Sequence, residues 1–536
     1  MESATNSSLS KNMEDTPQGE QHSKNMLSRE EDLEGYHTPP QPYAAQEKNK
    51  NGEDEFYSDS EGDIRAFTGQ DGRSIHSNTD SRRSRRLSIL ERVQSRYSFF
   101  NENLSKQRKG IALKYLFIYL LMSTSILGIF SIYWGSYYQR NSRLKNLGML
   151  VVIEDDHTVD GIEPVIGNTI RQILDTNKAK YYGKWHIFNQ SEIQEQADKH
   201  NNDVEAEIQR LIHHQKYWSS IYVKPEASYN LYKAISDGDS SYNVTNNTII
   251  SYYETGRDFL SMNLYVTPSI RIIELMWLQK LANVSLSITS NLSSSKKADV
   301  LSDSNSLELL STPMTFTYID KIPYTNPVLT APSQVGLIYM IIMTFFQVNF
   351  FMDVHKSVAE LKIKPIHYVI YRILSSILSF FVISLFFSLV TLAFQVDFTK
   401  AFGHSGFLVY WMITFITMWA VGLVNEIAAH IIIMIYPPMI GFWMLFWVVI
   451  NIAPTFAPME LCPQFFRYGY ALPIHNSYEA TKVVLFDTYK GHLGRNFGII
   501  FAWIALFTFL LPFVLKLFQK TMIKRAQAAA QKNADN

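Results

Sequence analysis

The chain has 536 residues, a formal net charge of zero and a hydrophobic fraction of 46%. Zero net charge excludes a general attraction to nucleic acid, and a single cysteine, Cys462, excludes an intramolecular disulfide framework, leaving a packed or interfacial thiol or, as the alternative, an intermolecular bridge. A mean hydropathy near zero hides two populations: a polar N-terminal part, and stretches 112–134 and 333–515 rich in Phe, Ile, Leu, Met and Trp.

Residues 1–110 read as a disordered cytoplasmic tail, because Ser, Asn, Asp, Glu, Gln and Gly recur there without the apolar surface that offsets chain entropy. An acidic serine cluster holds Ser58 and Ser60, and a basic block, Arg82-Arg83-Ser84-Arg85-Arg86-Leu87-Ser88, follows it. These four serines are phosphorylation candidates, and phosphate at Ser84 or Ser88 would cancel positive charge beside an anionic leaflet; the plain alternative is a stop-and-orient signal. No apolar core of signal-peptide length occurs near the start, so the first span is expected to act as an uncleaved anchor.

That span is residues 111–134, long enough at about 1.5 Å per residue to cross about 30 Å of hydrocarbon, with Tyr133 and Trp134 where an aromatic belt belongs. Residues 135–332 are expected to form an extracytoplasmic α+β domain. Strands are read at Leu150–Ile153, Trp185–Phe188, Ser220–Val223 and Thr248–Tyr253; helices at Ile162–Leu174, Ile193–His213 and Arg271–Leu281; and a surface loop at Asn283–Ser306. Sequons at Asn189, Asn243, Asn246, Asn283 and Asn291 cluster in this domain and mark it as glycosylated, although Asn6 and Asn103 carry the same pattern on the expected cytosolic side.

Residues 333–515 hold five further spans, at 335–352, 373–394, 407–424, 428–451 and 497–515, and 516–536 is a short cytoplasmic tail. The fourth and fifth are separated only by Asn425-Glu426-Ile427, and Pro437-Pro438 is expected to break the fifth. Segment 452–496, with its prolines and aromatics, reads as short helices lying in or dipping into the outer interface. The cations Lys356, Lys362, Lys364 and Arg372 of loop 353–372, and Lys516, Lys520, Lys524 and Arg525 after the last span, place both termini inside. The fold expected is a polytopic α-helical membrane protein of about six transmembrane helices, with the α+β domain between helices one and two.

No phosphate loop, nucleophile elbow or metal-ligand spacing occurs, and Gly183-Lys184 and His213-His214 lack the residues that would complete such sites. No enzyme activity, metal or cofactor is expected. The transport-pathway candidates are Glu426 and His430, four apart, and Asn349 and Asp353, also four apart. A carboxylate beside an imidazole could relay a proton or bind a cation; equally, Glu426 and His430 could sit in a headgroup-wetted turn, and Asn349 and Asp353 could cap a helix end. The aromatics of spans four and five, Trp411, Trp419, Trp443 and Trp447 among them, suit a flat organic ligand or ordinary helix packing.

The opening Leu147-Gly148-Met149-Leu150-Val151-Val152-Ile153-Glu154-Asp155 and the stretch Trp218-Ser219-Ser220-Ile221-Tyr222-Val223-Lys224-Pro225-Glu226-Ala227-Ser228, set between one span and a hydrophobic C-terminal half, resemble the fungal nitrosoguanidine-resistance membrane proteins over roughly residues 110–520. The layout is also similar to phage-infection-type and ABC-2-type membrane proteins. The resemblance implies a permease or exporter of small toxic organic or amphipathic compounds that confers chemical resistance; separately, the plasma membrane is expected rather than internal membranes. Its partners would be the bilayer, a small organic substrate and, because no ATPase motif is present, a separate ATPase or regulatory subunit docked at loop 353–372. The alternative is a non-transporting scaffold, or a regulator of membrane lipid or transporter activity.

Overall fold

A computed structural model describes residues 99–534; Ser58, Ser60, Ser84 and Ser88, and the tail up to residue 98, lie outside the described residues. Among the described residues, six helices are long and apolar enough to cross a membrane: Ser105–Tyr137, Pro327–Glu360, Pro365–Ala393, Thr399–Ile435, Pro437–Thr455 and Lys490–Gln531, here spans one to six. The polytopic helical architecture expected from the sequence is therefore present. Span one begins at Ser105, so the last residues assigned to the tail are helical, and span six runs as one helix past the expected end at 515.

Between spans one and two lies a five-stranded mixed sheet in the order β2-β1-β3-β4-β5. The strands are β1 Gly148–Ile153, β2 Lys184–Asn189, β3 Ser220–Val223, β4 Ile249–Tyr253 and β5 Thr317–Asp320. β1 runs parallel to both β2 and β3, β4 is antiparallel to β3, and β5 is parallel to β4. Interior strand β1 is covered on both faces, which is why it reads as a continuous aliphatic run. Val151 and Ile153 pack with Ile166, Ile170 and Ile173 on one face. Leu150 and Val152 pack with Ile193, Ile208 and Leu211 on the other. Each of these aliphatics contributes roughly 1.5–3 kcal/mol by its burial.

Three readings need correction in this domain. β5 was not read from the sequence: half-buried Thr317-Tyr318-Ile319-Asp320 lacks a dense aliphatic run. The polar helix expected over 193–213 is two helices, Gln190–Asp198 and Val204–His213, the second capped by Asp203, whose carboxylate accepts from Ala206 N at 2.6 Å. The Ser-rich stretch expected as loop is helical over Leu281–Ser290, Ser294–Ser302 and Ser304–Ser311, because Val284, Ile288, Val300 and Leu309 bury one stripe against the core and Ser293 and Asp303 supply N-caps.

The apolar core beneath β1 does not stop at the domain boundary. Ala453, in the last turn of span five, and Ala457, Leu461, Cys462 and Phe466, which follow it, belong to the same buried cluster as Met149 and Val151.

In the bundle, the break expected at Asn425-Glu426-Ile427 is absent: Gly406–Ile435 is one helix. Its polar residues are satisfied by neighbouring spans, as described below, so nothing forces the helix to end there. The break falls at Pro437-Pro438, between spans four and five rather than inside the fifth, and Tyr436 is driven to an extended φ of −152° and ψ of 95° ahead of the first proline. The expected loop 353–372 is mostly helical as well. Helix Met352–Glu360 and the first two turns of span three leave only 361–364 as a connection, and Arg372 lies inside the span. Lys356, Lys362 and Lys364 remain exposed.

Candidate functional site

Carboxyl ends of parallel strands at a switch in strand order are where open α/β sheets usually bind ligands. Here that place, beyond β1 and β3, is filled by the chain itself. The buried Asp155 carboxylate accepts from Gly167 N at 3.0 Å, Ser228 N at 3.1 Å and Ser228 Oγ at 2.7 Å, occupying the donors that would otherwise hold an anion. A Cβ at Gly167 would lie 1.9 Å from the Asp155 carbonyl oxygen, so glycine is required for this close approach. Burial raises the Asp155 pKa, and these three bonds oppose that shift without reversing it.

Two other places gather unusual chemistry. The first is within the bundle, toward the end remote from the α/β domain. Glu426 on span four is 2% exposed and pairs with Arg372 on span three, 4% exposed. Arg372 Nε donates to Glu426 Oε1 at 3.1 Å, Nη2 donates to the same oxygen, and Ser376 Oγ donates to Oε2 at 3.0 Å. Arg372 and Ser376, one turn apart, present both donors from one helix face. One residue earlier, Asn425 Nδ2 donates to Thr344 Oγ1 of span two at 3.0 Å, and Trp443 Nε1 of span five donates to Asn425 Oδ1 at 3.1 Å. Residues 425 and 426 thus tie span four to spans two, three and five.

The four pathway candidates do not converge. His430 Nδ1 lies 2.6 Å from the Glu426 backbone oxygen, not its carboxylate, and its ring meets Phe518 edge-on. Asn349 is half-buried and donates to Phe345 O of its own helix at 3.2 Å, while Asp353 is exposed. The structure gives no direct hydrogen bond between the Glu426 carboxylate and the His430 ring, and both residues lie inside one helix rather than in a turn. Arg372 was missed because its charge was counted with the loop cations, although its four-residue spacing from Ser376 was a signal.

The second place is a cavity of about 180 Å³ where the α/β domain meets the segment after span five. Arg257 and Asp258 reach it from the turn after β4, and His475, Glu479 and Lys482 from the helix Pro473–Phe486, which is buried along most of its length. Pro454, Ala457, Pro458 and Met459 supply apolar lining. Lys482 Nζ donates to Glu479 Oε1 at 2.8 Å. Burial works against the Glu479 carboxylate, but Lys482 and His475 hold its pKa below the usual value. Burial raises the Asp258 carboxyl pKa and pushes His475 down to about 4; His475 Nδ1 is buried without a hydrogen-bond partner. The adjoining helix reaches the bundle through Ser477, whose Oγ accepts from Thr417 Oγ1 of span four at 2.8 Å.

Of the sequon residues, Asn243, Asn246, Asn283 and Asn291 are exposed. Asn189 is half-buried, and its Oδ1 accepts from Arg171. His213, paired with Glu254 at 3.1 Å, and His214, stacked on Tyr489 at 4.5 Å between ring centroids, are both engaged in structural contacts.

Residues 118–509 match the family described as Protein of unknown function (DUF3533). The chain belongs to this family. It is also similar to a Saccharomyces cerevisiae protein named Uncharacterized endoplasmic reticulum membrane protein YJR015W, 34% identical over 442 residues that cover 81% of this chain and 86% of the relative. The matched region begins and ends close to the limits expected for the fungal resemblance, and a fungal membrane-protein family is what it shows; neither name carries nitrosoguanidine resistance. No solved structure matches.

Proposed function

We propose that this family member is a permease that exports small toxic organic or amphipathic compounds and so confers chemical resistance. The observation that carries the reading is the cavity, charged on one side and apolar on the other, seated on a six-helix bundle and linked to it through Ser477 and Thr417. Sites with an apolar body and a few fixed polar groups suit amphipathic ligands. In this reading the Arg372–Glu426 pair lies on the same route, nearer the other end, and holds spans three and four together. The exposed Lys356, Lys362 and Lys364 are the surface on which a separate energising subunit would dock. Because the yeast relative's name places that protein in the endoplasmic reticulum membrane, we assign this chain there in place of the plasma membrane.

The test is reconstitution of the purified chain in vesicles, with and without a proton gradient, following a fluorescent amphiphile in cationic and anionic forms and a toxic alkylating compound. Movement that depends on the protein and falls in Glu426→Gln is the expected result. Folded protein that moves none of these compounds under either condition would leave the scaffold or regulator reading in its place.

A further inference from the structure

Arg257 is a buried cation without an ion-pair partner among the described residues. It is 7% exposed, its guanidinium carbon lies 3.6 Å from the centroid of the Trp218 ring, and it donates to Tyr217 O at 2.7 Å and Gln215 O at 3.4 Å. Both acceptors are neutral carbonyls, and among the described residues no carboxylate forms an ion pair with it, in contrast to Arg372 and Lys482. Burial lowers its pKa even though Glu460, Glu479, Glu254 and Asp258 all act the other way from longer range. A buried charge in this position calls for a counter-charge at contact distance.

The carboxylates lining the cavity do not supply it. Glu479 is committed to Lys482, Asp258 caps the turn that follows it, accepting from Ser261 N at 2.9 Å, with burial favouring its neutral form, and Glu460, the third carboxylate lining the cavity, is exposed to solvent and acts on Arg257 only through space, without an ion-pair contact. A second guanidinium, Arg495 at the exposed start of span six, lines the same cavity. The volume of about 180 Å³ is below the roughly 300–1,000 Å³ of sites that enclose a drug-sized ligand, so it has room for a headgroup or a compact acid and not for a bulky molecule.

We propose that this cavity binds the anionic group, phosphate or carboxylate, of a small amphiphile, with Arg257 as its anchor, Arg495 as a second contact and the Pro454–Met459 wall against its apolar part. A planar guanidinium lining the cavity, whose five N–H donors exceed the two carbonyls it bonds, suits binding of such a group. The inference rests on the permease reading in naming the substrate class. It also carries the acidic amphiphile into a site that composition alone, with zero net charge, gives no reason to expect. The same chemistry is offered by an anionic lipid headgroup and by a free organic anion, and the experiment separates them.

The full chain in nanodiscs is titrated with phosphatidic acid against a phosphatidylcholine background, and separately in detergent with free glycerol phosphate, reading Trp fluorescence and native mass spectra. Saturable binding of phosphatidic acid alone assigns a lipid headgroup; binding of both assigns any phosphate monoester. Arg257→Gln is expected to weaken binding by about tenfold or more, and Arg257→Lys by less, since a charged hydrogen bond contributes roughly 1.5–3 kcal/mol. Arg495→Gln, at an exposed position, should weaken it severalfold and decides the matter should Arg257→Gln fail to fold. Absence of binding of either probe to folded wild-type protein, or affinity unchanged in Arg495→Gln and in a folded Arg257→Gln, overturns the proposal. Protein that transports but does not bind these probes overturns the anion site alone; protein that binds but does not transport overturns the permease reading alone.

Discussion

Two nitrogens of Arg372 converge on a single carboxylate oxygen of Glu426, while Ser376 holds the other. Both charges are almost fully removed from solvent, so each makes the other tolerable, and the pair is more costly to halve than to delete. Glu426→Leu and Arg372→Leu are each expected to lower stability by about 3–5 kcal/mol, whereas the double variant should recover most of that loss. Thermal unfolding of the four proteins in one detergent checks this; a double variant as unstable as the sum of the singles would contradict it.

Span four passes span three at Gly422, where an added Cβ would lie 2.2 Å from Phe380 Cζ. Phe380 is fully buried, so its ring has nowhere to withdraw. Gly422→Ala should cost about 1–3 kcal/mol through overpacking, and adding Phe380→Leu should return part of it. The melting temperatures of the single and double variants are the measurement.

His475 gives the outer cavity a pH dependence with a defined sign. Burial pushes its folded pKa down to about 4 from the 6.5 of an ordinary imidazole. Below 6.5 the unfolded chain takes up a proton that the folded chain refuses. The stability associated with the neutral ring is therefore complete above pH 6.5 and is lost as pH falls from 6.5 toward 4. At about 1.4 kcal/mol per pH unit this amounts to roughly 3 kcal/mol. Melting temperatures from pH 7.5 to 4.5 should fall more steeply for wild type than for His475→Gln. Parallel curves would show that His475 titrates normally.

Glycan occupancy follows exposure. Asn283 and Asn291 stand on the exposed side of the 281–311 helices and are expected to be glycosylated, while Asn189, held by Arg171 in the capping turn after β2, is not. Single Asn→Gln variants, compared by gel mobility before and after endoglycosidase, report this directly. A mobility shift for Asn189→Gln, with none for Asn283→Gln and Asn291→Gln, would reverse the assignment and the exposure argument with it.

The parts of this fold legible in the sequence are those where one physical term dominates. β1 was legible because its two buried faces leave an unbroken aliphatic run, and the spans because bilayer thickness demands length. Where two terms compete, reading fails. At 425–427 the polarity of Asn425 and Glu426 suggested a loop, but partners on three other spans pay their desolvation in full. At Asn283–Ser306 a Ser-rich composition hid a thin stripe of Val284, Ile288 and Val300 that suffices to fix helices against a core. The outer cavity was not legible at all: Arg257 and Lys482 are 225 residues apart, and only the docking of the 473–486 helix onto the α/β domain brings them together.

The shared core beneath β1 has a mechanical meaning. Ala453, in the last turn of span five, and Ala457 just after it sit in the same buried cluster as the residues of β1. A torque on the extramembrane domain is therefore delivered to the fifth helix as to a rigid lever. Any rocking of one part of the bundle against another must find its hinge elsewhere, and the exposed four-residue connection at 361–364, leading into span three, is a place for it.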